Sequence, residues 1–183
     1  MPEAKLPYLK QSPVKQEGVQ GIVLSDLQEE VLTAFKDAIE LGDVDSLLAL
    51  HNHIADTADS LCASSPHAAT GVYSKLGYAL NALEKKSEEQ HVHAIQALNQ
   101  ARQIAQREND LLALEALCYQ LGLAHHFLKQ YEGALDWFSQ YIAFARQNGD
   151  AAGERDAFVN LAHASQKMCV SMSAEISWHV AAT

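Results

Sequence analysis

Arginine is missing from the first hundred residues of this chain; the first is Arg102. Basic residues are scarce throughout, with 13 Lys+Arg against 23 Asp+Glu. Each nucleic-acid phosphate contact needs a cation, so this balance argues against DNA or RNA as a partner. It argues equally against an anionic membrane surface. No apolar run approaches the ~18 residues of a spanning helix. The opening MPEAKLPYLKQSPVKQEG has neither an apolar signal core nor the arginines of a transit peptide. The expected address is therefore the cytoplasm, with the cytoskeleton as an alternative.

Cysteine is also sparse. Cys62, Cys118 and Cys169 are odd in number and form no C-x-x-C pair, which excludes a disulfide frame and a zinc knuckle. Proline stops at Pro66. Beyond it the chain is rich in Ala, Leu, Gln and Glu, with apolar residues at steps of three and four. These are helix formers in helical spacing, and strand-like runs of β-branched residues are absent. The fold class read from this is all-α.

Residues 1–24 read as a flexible or extended arm, with Pro2, Pro7 and Pro13 and little apolar mass. Ser25-Asp26-Leu27-Gln28 reads as a capping box opening the first helix. Breaks are expected at Gly42-Asp43, Ser64-Ser65-Pro66, Lys85-Lys86-Ser87, Asn109-Asp110, Lys129-Gln130 and Gly149-Asp150. Short breaks between helices of this length suit antiparallel hairpins.

A period underlies the breaks. HAIQALNQARQIAQREND at 93–110 aligns without a gap on GALDWFSQYIAFARQNGD at 133–150, 40 residues later. Upstream of each stands Leu-Gly-x-Ala: Leu76-Gly77-Tyr78-Ala79 and Leu121-Gly122-Leu123-Ala124. A third version reads Asn160-Leu161-Ala162-His163-Ala164. Two glycines at one point of a helical pattern imply close packing, because a mid-helix glycine costs about 0.5–1 kcal/mol relative to alanine. The small residues let two helix backbones approach, and Leu98 or Phe138 would fill the space beside them.

On these residues the chain resembles the tetratricopeptide repeat (TPR) family, specifically the long repeats of kinesin light chains and Pins-type polarity adaptors. The resemblance implies a right-handed superhelix of antiparallel hairpins: three to four repeats near 28–67, 70–110, 115–150 and 155–183, seven to eight helices in one domain over 25–183. The last repeat would place Ala174, Trp178 and Ala181 on a second helix, with Cys169 at the turn before it. Tyr141, where the family has a small residue, would fill the space left by Ser165, where it has tyrosine.

The resemblance also implies a concave groove lined by the first helix of each repeat. The groove residues would be Tyr78, Asn81, Tyr119, Leu123, His126, Phe127, Asn160, His163 and Gln166. Aromatic and amide side chains suit a peptide or a helix. The Lys/Asn clamp of chaperone-binding members is not matched, since Ser74 and Tyr78 stand there. The expected function is a non-catalytic protein–protein interaction scaffold. A structural subunit of a cytoskeletal, ciliary or other assembly is the alternative. The apolar residues Ile176, Trp178 and Val180 near the end would dock on a partner or a second copy.

Nine histidines raise a different possibility, a metal protein or small hydrolase. His51-x-His53 and His91-x-His93 are spaced i,i+2, which on a helix points them about 200° apart. H-E-x-x-H, G-x-S-x-G and the phosphate-binding P-loop are all missing. No cofactor, metal or catalytic residue is expected. Of the adjacent pair, His125 should enter the helix seam and His126 the groove, because neighbours on a helix diverge by about 100°.

Overall fold

The computed structural model describes residues 26–82 and 87–181. The arm and Ser25 lie outside them, as do Lys85 and Lys86. The side chains of Ile176, Trp178 and Val180 are also outside, although their backbone is helical.

Among the described residues there are seven helices and no strand. They are α1 (Asp26–Leu41), α2 (Val44–Cys62), α3 (Pro66–Ala82), α4 (Glu88–Arg107), α5 (Leu111–Phe127), α6 (Tyr131–Asn148) and α7 (Ala151–Ala181). Every helix packs on the one before and the one after. The only other substantial pairings join α2 to α4 and α3 to α5, so the helices form a stack and do not close into a bundle.

Four of the turns share one device. Gly42, Asn109, Lys129 and Gly149 have positive φ, and the next residue's amide reaches back five positions. Asp43 N donates to Ala38 O, Asp110 N to Ala105 O, Gln130 N to His125 O and Asp150 N to Ala145 O. This satisfies the last carbonyls of the outgoing helix. At three of these turns the same residue then caps the incoming helix. Asp43 accepts from Ser46 N at 3.1 Å, Asp110 from Ala113 N at 3.0 Å and Asp150 from Gly153 N at 2.9 Å. One aspartate thus closes one helix and opens the next, which makes a connection of two or three residues sufficient.

The glycine seam is as tight as the spacing implies. A Cβ on Gly77 would overlap Leu98 Cγ and Cδ2. A Cβ on Gly122 would stand 2.5 Å from Phe138 Cε1. Leu98 and Phe138 are both fully buried, so neither has room to retreat. The main core runs from Phe35 on α1 to Leu121 on α5. Two smaller clusters carry it to α7: Cys118, Tyr141, Ala145 and Ala157, then Ala134, Phe138 and Ala164.

Two expectations are corrected here. The last repeat does not fold as a hairpin: α7 is one helix of 31 residues and runs straight through Cys169, which is exposed mid-helix. The reason is local. The breaks before α2, α3, α5, α6 and α7 each have a glycine, a proline or a residue held at positive φ, whereas nothing from Glu154 to Thr183 is Gly or Pro. No second helix then covers Ala162, which is exposed although it occupies the place of Gly77 and Gly122. At ~1.5 Å per residue α7 is about 46 Å long against about 27 Å for α6. Beyond Ala164 no residue up to Ser173 is buried.

The second correction concerns Tyr141. It points inward, but the space it fills belongs to Gly153 and Ala157 and not to Ser165. A Cβ on Gly153 would lie 2.9 Å from the Tyr141 hydroxyl. Helices α6 and α7 run antiparallel, so Ser165 meets the opposite end of α6 and bonds its own helix at Leu161 O.

Candidate functional site

The nine groove residues inferred from repeat position separate into two groups. Asn81 belongs to the interior and is only 6% exposed. Its Nδ2 donates to Gln120 O at 3.0 Å and to Gln120 Oε1 at 3.2 Å, and its Oδ1 lies 3.4 Å from His91 Nδ1. It therefore ties α3 to both α4 and α5. Phe127 is likewise committed, its ring stacked on His91 at 4.8 Å. Tyr78 packs against the main core, and burial holds its phenol well above the usual range. These three hold the stack together.

The remaining residues lie toward α7. Leu123 and His126 of α5, Phe138 of α6, and Asn160 and His163 of α7 line one shallow dent, open to solvent, with a cavity volume of about 10 Å³. Leu123, His126, Asn160 and His163 all come from the inferred set. Phe138 does not; its ring packs against Gly122 and backs the dent with only 1% of its surface exposed. Asn160 anchors its amide on Asp156 O at 2.8 Å. Tyr119 lies one turn before Leu123, its ring 5.3 Å from Tyr141, and burial together with Asp156 raises its phenol. Gln166 is exposed one turn further along α7.

The two adjacent histidines diverge. His125 Nδ1 meets Gln130 Oε1 at 2.7 Å and lies against Gly133, in the α5–α6 turn. His126 faces α7 across the dent. Burial lowers its pKa below the ordinary imidazole value, and the neighbouring His163 and Lys167 lower it further.

Elsewhere the histidines pair in a way that local spacing does not reveal. His51 of α2 and His93 of α4 bring their rings to 4.5 Å. Burial lowers the His51 pKa, and His93 adds to the shift against the bond to Asn52. His93 Nε2 lies 4.0 Å from Glu89 Oε1. HNH at 51–53 recurs as HVH at 91–93, but the 40-residue offset aligns His51 with His91 and does not foretell its contact with His93. Among the described residues no three His, Cys, Asp or Glu side chains gather as a metal site. Cys118 is buried, and burial pushes its thiol up to about 12 despite Arg102 nearby, so it is no nucleophile at neutral pH. Among the described residues no helix is long and apolar enough to cross a membrane.

A second polar cluster sits where α7 begins. Glu115 is buried beside Asp150 and accepts from Asn148 Nδ2 at 2.5 Å. Burial raises the Glu115 pKa, and the shared hydrogen bond with Asp150 raises it further. Asp150 is lowered, chiefly by the amide of Gly153. Glu115 thus holds its proton to higher pH than a free carboxyl, while Asp150 stays ionised to lower pH. Arg146 adds an ion pair to Glu154 at 2.7 Å.

The fold and dent together define the class: a sequential stack of α-hairpins with a small half-polar depression between its last helices. No protein-family model matches the chain, and no curated protein matches it.

Proposed function

We propose that this chain is a non-catalytic interaction module, a short TPR-like array that holds a protein segment across α5 and α7. One observation carries the reading. Leu123, His126, Asn160 and His163, selected by repeat position, surround a single dent over Phe138. An apolar backing with polar groups at its rim suits a side chain presented by a peptide or a helix. The module acts in the cytoplasm, its hairpins follow the right-handed winding of the family it resembles, and it performs no chemistry of its own.

The test is a pull-down with the intact chain and a His126/Asn160/His163 triple alanine variant, accompanied by thermal melting. The variant is expected to stay folded and lose the partner. A folded variant that retains every partner would overturn the assignment.

A second reading, a structural subunit of a larger assembly, is favoured by the free run of α7. Val170 is 62% and Met172 54% exposed on a part of the helix that extends past α6. An assembly can use such a projecting helix as a strut.

A further inference from the structure

The dent between α5 and α7 brings two imidazoles together beside a lysine, in a chain whose formal net charge is −10. His126 and His163 line it from opposite helices. Lys167 stands one turn after His163, and its charge reaches His126. The other groups around His126 are neutral: the Tyr131 ring at 5.6 Å from α6, Phe138 behind the dent, and Leu123 and Phe127 on its own helix. The nearby acid Asp156 lies one turn before Asn160 and acts on Tyr119 and Tyr141. The groups that shift His126 electrostatically are both basic.

We propose that this dent accepts an acidic side chain of a partner peptide and takes up a proton as it does so. This rests on the interaction-module reading and names the chemistry of its ligand. The apolar part of a Glu or Asp neighbour rests on Leu123 at the edge of the dent. The carboxylate meets Lys167 and the two imidazoles. In the free protein the burial of His126 and the charge of Lys167 keep that imidazole neutral at pH 7.5. A bound carboxylate reverses the balance, because an opposite charge within a few ångströms favours the imidazolium. Binding is therefore linked to protonation, and each linked proton gives up to about tenfold tighter binding per pH unit of acidification. The gain ends below the free pKa of His126, where the proton is already present.

The experiment is fluorescence polarisation with two labelled probes, an alternating Leu-Glu octapeptide and its Leu-Gln counterpart, at pH 7.5 and pH 5.5. The Glu probe is expected to bind at least about fivefold tighter at pH 5.5, and the Gln probe to change little. His126→Gln/His163→Gln should abolish the pH dependence, and Lys167→Gln should weaken the Glu probe at both pH values. Melting of each variant controls for folding. If both probes bind equally at both pH values and both are lost in the triple alanine variant, the acidic-ligand inference falls and the groove reading stands. If the double His variant keeps the full pH dependence, the inference also falls. If neither probe binds, it falls as well, and the groove reading then depends on its own pull-down.

Discussion

The hairpins α3/α4 and α5/α6 carry the same short motif as α7, yet its fate differs between them. Gly77 and Gly122 sit under Leu98 and Phe138, in contacts too close for a Cβ. Ala162 holds the corresponding place on α7 and faces outward. The motif therefore prepares a helix to receive a neighbour but does not supply one. What supplies it is a turn that can reverse the chain. Lys129-Gln130 does this between α5 and α6 with a residue at positive φ, and the stretch around Cys169 has no such residue.

The difference can be tested by matched substitutions. Phe138→Ala should cost about 3–5 kcal/mol, because it empties a fully buried ring site. Phe158→Ala on α7 should cost about 1 kcal/mol or less, since that ring is 48% exposed and mainly meets the Arg146 guanidinium. Urea unfolding of both variants measures the pair. Equal losses would mean that α7 is covered in solution.

Gly122→Ala comes next. The new methyl gains helix propensity but must displace Phe138, for a net loss of about 1–3 kcal/mol. Ala162→Leu should stay within about 0.5 kcal/mol of the parent, because nothing stands opposite. A strongly destabilised Ala162→Leu would indicate a folded-back hairpin.

The smallest effect is expected where α7 begins. Glu115 has a folded-state pKa above its unfolded value. Its favourable contribution is thus complete below the unfolded pKa and is lost as pH rises through the folded one. Glu115→Gln mimics the protonated form and keeps bonds to Asn148 and Asp150 available. Its Tm should exceed the parent's at pH 7.5, and the two should converge toward pH 4. Asp150, whose pKa is lowered, changes its contribution only below that range. A Glu115→Gln variant less stable at pH 7.5 would show that the carboxylate, not the acid, is the favourable form.

Much of the helical order was legible from local signals. Gly42-Asp43, Asn109-Asp110 and Gly149-Asp150 announced their turns because positive φ and aspartate capping act over four or five residues. The seam glycines announced the contacts with Leu98 and Phe138 because the 40-residue offset repeats them. Leu123, His126, Asn160 and His163, taken from the positions that the family resemblance implies, line the same dent.

Other features could not be read along the chain. Asn81 sits at a groove position but turns inward, because a buried carbonyl on α5 and an imidazole on α4 are within its reach. His51 and His93 meet only when α2 lies against α4. Tyr141 takes its space from Gly153, a pairing set by the antiparallel register of α6 and α7.

The sequence by itself determined where helices form, where most of them stop and which faces are small enough for close crossing, since all three depend on neighbours within a turn or two. Only the tertiary structure decided which of those faces are occupied, which polar groups are consumed in holding helices together and which stay open at the dent. Those outcomes depend on the distance and register between helices, which residues far apart in the chain set together.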